Sequence, residues 1–182
     1  MSKYAHLEKD TNKILGWYDK EIHKTIPTPN VEVENDVWKE ALNINANTYD
    51  EAVQTFVIKD FRTLKELKAS KLSSINTSCE AVIVSGFTSS ALGSEHIYQS
   101  DRDDQINLMG LVTTGKDDLL KCGVDDGDGN ITWEWKQHTV TQLKAVFDDG
   151  AAFKMLQLIK ANTLKVQISS ATTVEEVNEI VW

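Results

Sequence analysis

Four groups of residues in this chain have the types that chemistry needs. His96 and His138 stand beside hydroxyl or acidic neighbours, and a histidine of ordinary pKa serves as a general base or a metal ligand near neutral pH. Asp101, Asp103 and Asp104 offer the paired carboxylates that glycan-cleaving sites use, while Ser89, Ser90 and Ser94 offer hydroxyls in a glycine-containing turn. Asp126, Asp128 and Asn130 alternate as hard oxygen donors do at the opening of a calcium loop. Each group has a structural reading of the same letters. No third ligand stands at metal spacing from either histidine, and acids in a first helical turn offset the macrodipole. The serines lack the GxSxG elbow of an activated nucleophile. In the acidic loop the required glycine is Ile131 and the closing bidentate acid is Gln137, so a Gly/Asp hairpin turn explains it without a metal. The expectation is therefore no catalytic residues, no metal and no cofactor.

The elements that would position these residues follow from periodicity. Val82, Val84 and Phe87, then His96 to Ser100, suggest a hairpin around a Ser/Gly turn. Ser100 three residues before Asp103 predicts a helix starting near Asp101, with Ile106, Met109 and Val112 on one side. Gln105 and Asn107 are expected to bond backbone between hairpin and helix. Leu120 to Val124 and Ile131 to Trp135 predict a second hairpin. Before these, Ile58, Phe61, Leu64, Leu67, Leu72, Ile75, Cys79 and Val82 recur at three and four, one long amphipathic helix. Its start is open between Ile58 and Thr63, since Thr63 with Glu66 makes a capping pair and Val53 to Ile58 then becomes a strand. After the second hairpin, Thr139 with Gln142 caps a helix carrying Val140, Leu143, Val146 and Phe147, with Gly150 as a break point. The stripe expected beyond it is Phe153, Leu156, Ile159, Thr163, Val166 and Ser170. Two helices of similar length imply an antiparallel pair. Thr173 with Glu176 caps a last short helix whose Trp182 must dock.

The first fifty residues differ in character. Tyr4 and His6, then Ile14, Leu15, Trp17 and Tyr18, form strand-like runs about the turn KDTN, and Pro27 and Pro29 break the chain. Val31 and Val33 then lead into a short helix with Val37, Trp38, Ala41 and Leu42, capped by Asn35 or Asp36. The expected class is α+β: a small β-rich module with a short helix over 1–50, a linker at NINANTYDEA, and a mainly helical domain over 51–182 with two hairpins and long antiparallel helices.

Composition narrows the partners. With 19 Lys plus Arg against 28 Asp plus Glu the net charge is −9, which repels a phosphate backbone, so nucleic acid is not expected. No apolar run approaches the roughly 20 residues of a membrane span, and MSKYAHLEKD lacks a signal-peptide core, so synthesis in the cytosol is expected. Cys79 and Cys122 lack metal or redox spacing and are expected as reduced structural thiols. Trp133 and Trp135 share one face of a strand, either as core or as an exposed contact platform.

The ordered blocks GFTSSALG, EHIYQS, DQINL, WKQHT and ATTVEEVNEIVW resemble a family of phage domains of unknown function from tail-fibre gene clusters. The resemblance covers the last two-thirds of the chain. At the N-terminus WYDKEIH, IPTPNVEV and NDVWKEAL loosely resemble the opening of tail-fibre assembly proteins. Together they imply a non-enzymatic assembly chaperone or accessory in the host cytoplasm that binds a tail-fibre or baseplate protein, with a structural part of the virion tail or fibre tip as the alternative. Trp17, Tyr18, Trp133 and Trp135 are the expected partner-binding residues, and a homo-oligomer is compatible with the sequence.

Overall fold

The computed structural model describes residues 2–182 and divides the chain into two compact units, Met1–Phe61 and Arg62–Trp182.

In the first unit, alternating side chains build a three-stranded antiparallel sheet of order β2-β1-β3 from β1 (Lys3–Leu7), β2 (Ile14–Asp19) and β3 (Asn30–Val33). Helix α1 (Asn35–Asn43) follows. Its cap position is Glu34, which makes no side-chain cap bond, rather than the expected Asn35 or Asp36. The NINANTYDEA stretch lies inside the unit, where β4 (Thr48–Asp50) pairs with β5 (Thr55–Val57). Ala5, Leu7, Val33, Ala41 and Phe56 form the buried core. Lys3 on the central strand ties β1 to β2 by an ion pair with Asp19, whose carboxyl it holds below its ordinary range.

The second unit begins at the Thr63/Glu66 capping box, which starts α2 (Leu64–Val84). There follow β6 (Phe87–Ser89), β7 (His96–Tyr98), α3 (Arg102–Thr114), β8 (Asp118–Asp125), β9 (Ile131–His138), α4 (Val140–Ser170) and α5 (Val174–Glu179). Thr139/Gln142 and Thr173/Glu176 make complete capping boxes on α4 and α5. Such boxes satisfy donors that a helix start otherwise leaves bare.

The expected mainly helical domain with two separate hairpins is overturned here. Strand β7 pairs with β8 through Ile97 opposite Gly123, so both hairpins belong to one antiparallel sheet of order β6-β7-β8-β9. Among the described residues three sheets hold 24% against 44% in helices. The two long helices are also unequal, with 21 residues in α2 and 31 in α4. They run antiparallel: Lys68 Nζ donates to the Ser169 carbonyl at 2.9 Å, and Cys79 Sγ approaches the Gln157 carbonyl at 3.6 Å.

Three further expectations need correction. Val82 and Val84 end α2 instead of opening a strand. The cap of α3 is Asp101 with Asp104, one residue later than Ser100 with Asp103. Ser100 is used elsewhere, donating to the Ile83 carbonyl at 2.6 Å and accepting from Gly86 N–H at 2.9 Å, which ties the end of α2 to β7. Finally, α4 is unbroken at Gly150, and its packed side is Phe153, Ala161, Leu164 and Ile168, not Leu156, Ile159 and Val166. No helix among the described residues is long and apolar enough to cross a membrane.

Candidate protein-binding face

Alternation along β8 and β9 gives the four-stranded sheet two unlike faces. Leu120, Cys122 and His138, with Phe87, Ser89, His96 and Tyr98 from β6 and β7, point inward. Leu108 of α3 and Val146, Phe147 and Phe153 of α4 cover them. The registers Lys121 opposite Trp135, Gly123 opposite Trp133 and Asp125 opposite Ile131 put those residues on the outer face.

That outer face is open and aromatic. Trp135 is 66% exposed, Leu119 and Ile131 are exposed beside it, and Trp133 is half-buried. Trp133 lies over Gly123. A Cβ on that glycine would meet the Trp133 ring at 3.1 Å and Ile131 Cγ2 at 2.5 Å, so the missing side chain is what lets the indole lie against the strand. Lys121 Nζ stands 5.7 Å from the Trp133 ring centroid. A rigid indole platform with one cation and little conformational entropy to lose is suited to contact, not to bond-making.

The other predicted partner residues lie in the first unit. Trp17 is half-buried against Phe56, ring centroids 5.0 Å apart, at the margin of that core. Tyr18, its neighbour on β2, is half-buried with its ring edge-on to His6 and His23. Successive strand residues point to opposite faces, so Trp17 and Tyr18 do not form one patch, whereas Trp133 and Trp135 do.

Several of the residues with chemical potential are engaged in internal bonds. His138 is fully buried; its Nδ1–H donates to the Lys136 carbonyl at 2.9 Å and its Nε2 accepts from the Tyr98 hydroxyl at 2.9 Å. Burial pushes its pKa down and pushes the Tyr98 hydroxyl and Cys122 thiol up. His96 donates from Nδ1 to the Ser94 carbonyl at 2.8 Å and accepts from Lys136 Nζ at 3.1 Å; Lys136 also pairs with Glu134 at 2.8 Å. Ser89 Oγ donates to Asp149 at 2.5 Å. Gln105 donates to the Ser100 carbonyl at 2.7 Å and accepts from Lys154 at 2.9 Å, joining hairpin, α3 and α4. In the acidic turn the Asp126 carboxylate accepts from Asp128 N–H, Asn130 N–H and Asn130 Nδ2, and those bonds, the Asn130 side chain first, lower its pKa. Among the described residues no three His, Cys, Asp or Glu side chains are grouped to hold a metal ion. Cys79 and Cys122 are buried and unbridged.

The outer face was only partly visible in the sequence. Leu119 lay just outside the expected strand, and its alternation with Lys121 was the signal for it.

Comparison with curated proteins and with solved structures gives no match. The sequence model of a domain of unknown function, DUF4376, matches residues 66–181, well over half of the chain and nearly all of the unit just described, and the protein is a member of that family.

Proposed function

We propose that this protein is a non-enzymatic, phage- or prophage-encoded accessory of tail-fibre assembly that works in the host cytoplasm by binding a fibre or baseplate protein. The observation that carries the binding part is Trp135, two-thirds exposed on the open face of the sheet with Trp133 fixed beside it over Gly123. An exposed indole on a rigid strand is a typical hot-spot anchor. The ordered sequence blocks from GFTSSALG to the C-terminal ATTVEEVNEIVW supply the tail-fibre part, and the net charge of −9 disfavours nucleic acid as the ligand. The engagement of both His138 nitrogens in buried bonds favours binding over catalysis.

The test is co-expression of the tagged full chain with the fibre and baseplate proteins of the same phage, followed by capture and by proteomics of purified particles. A chaperone captures a fibre or baseplate protein and is absent from the particles. Capture together with stoichiometric presence in particles selects the alternative, a structural component of the tail or fibre tip. Failure to capture any tail protein removes both.

A further inference from the structure

A recess of about 460 Å³ opens between α3 and α4, within the roughly 300–1,000 Å³ range of small-molecule pockets. Residues three and four apart lie on one side of a helix, and that spacing builds both walls. Helix α3 supplies Arg102, Ile106 and Met109, and α4 supplies Phe147, Ala151 and Lys154.

The recess is polar at one end and apolar at the other. Lys154 Nζ donates to Gln105 Oε1 at 2.9 Å, and Arg102 stands one turn before Gln105, so the polar groups gather there. Met109 lies about 6 Å further along α3 and Phe147 about 10 Å back along α4, counted at 1.5 Å per residue. Between the ends Ile106 is 60% and Met109 52% exposed, so the wall is open apolar surface.

Lys154 is positioned without being neutralised. Gln105 Nε2 donates to the Ser100 carbonyl at 2.7 Å, which fixes the amide, and its Oε1 then takes only one of the three ammonium donors. Among the described residues Lys154 makes no ion pair, in a chain with 28 acids against 19 bases. Arg102 meets Glu80 at 3.4 Å, but those side chains are 85% and 67% exposed, and such a pair holds weakly and leaves guanidinium donors free. No acid among the described residues lines the recess. Asp104 accepts from Asp101 N–H, and Asp149 takes the Ser89 hydroxyl.

One uncancelled ammonium beside a partly engaged guanidinium suits a single negative charge, and the apolar wall beyond them suits a hydrocarbon chain. We infer that this recess binds an aliphatic monocarboxylate, its carboxylate on Lys154 and Arg102 and its chain along Ile106, Met109 and Phe147. Helices α3 and α4 cover the inner side of the sheet, so the site is separate from the outer Trp135 face and does not depend on which protein that face takes.

Isothermal titration calorimetry of the full chain with decanoate, kept below its micelle-forming concentration, tests this. Decyltrimethylammonium, the same chain with a cationic head, is the control. Decanoate is expected to bind saturably at one per chain and decyltrimethylammonium at least ~10-fold more weakly, as loss of a charge-assisted contact implies. Lys154→Met with Arg102→Gln, both at exposed positions, is expected to keep the same circular dichroism and to remove that preference. Ala151→Trp, also at an exposed position, is expected to fill the recess and abolish decanoate binding. Absence of saturable decanoate binding to the wild type overturns the inference. So do equal affinities for the two heads, and full-strength decanoate binding by either folded variant, since the ligand then lies elsewhere.

Discussion

At the scale of single residues, the inner face of the sheet carries a network in which Ser89, His96, Tyr98 and His138 are all hydrogen-bonded. His138 illustrates the consequence. Its ordinary pKa is 6.5, and burial lowers it in the folded chain, ahead of smaller effects from His96 and Lys136. Above 6.5 both the folded and unfolded forms hold a neutral ring, and the full stability is present. As pH falls below that value the unfolded chain takes up a proton that the folded chain refuses, so stability declines until the folded ring protonates as well. Melting temperature should therefore fall with pH across this window, and His138→Phe should flatten that slope. The variant leaves the Tyr98 hydroxyl without its partner and so starts from a lower stability, on the order of 1–3 kcal/mol. The decisive quantity is the difference in slope between the two proteins, in which the remaining histidines are common.

At the scale of elements, two glycines in helices give opposite predictions for the same substitution. Alanine in place of glycine in a helix interior normally gains about 1 kcal/mol. At Gly110 in α3 nothing stands within 4 Å of a new Cβ, so Gly110→Ala should realise that gain. At Gly150 in α4 the Cβ would meet Phe87 Cζ at 2.7 Å, and Phe87 is held by ring contacts with Tyr98 and Phe153. Overpacking costs typically ~1–3 kcal/mol, so Gly150→Ala should be a net loss. Thermal or chemical denaturation of the two variants checks both signs.

The same glycine explains part of what the sequence concealed. Gly150 suggests a helix break on propensity alone, yet its role is to admit the Phe87 ring, a contact between residues 63 positions apart in sequence. The helix starts at Thr63, Thr139 and Thr173 were legible because a capping box is local, written in four consecutive residues. The joining of two hairpins into one sheet was not, because it rests on Ile97 meeting Gly123, and no local pattern encodes that pairing. The orientation of α4 was hidden for another reason. Phe153, Leu156, Ile159 and Val166 fit helical spacing as well as Phe153, Ala161, Leu164 and Ile168 do, and a helix apolar on two sides does not say which side faces its own core. In the candidate site, the shared face of Trp133 and Trp135 was legible from their spacing of two. The opposite outlook of Trp17 and Tyr18 was available from the same rule.

At the scale of the whole molecule, the chain joins a small β-rich unit to a DUF4376 unit and carries strong negative charge. Ser89, His96, Asp126 and His138 are used in internal bonds, and its exposed apolar surface includes Trp135 on the sheet and Leu156 and Ile159 on α4. The central claim is that the Trp135 face holds a tail-fibre or baseplate protein, and the most direct measurement is quantitative capture of that co-expressed partner by the wild type and by Trp133→Ala/Trp135→Ala, each confirmed as folded by circular dichroism. The account predicts that the wild type retains its partner and that the double variant binds more weakly by on the order of 2 kcal/mol or more, about thirtyfold in Kd. Full-strength capture by the folded double variant would contradict it.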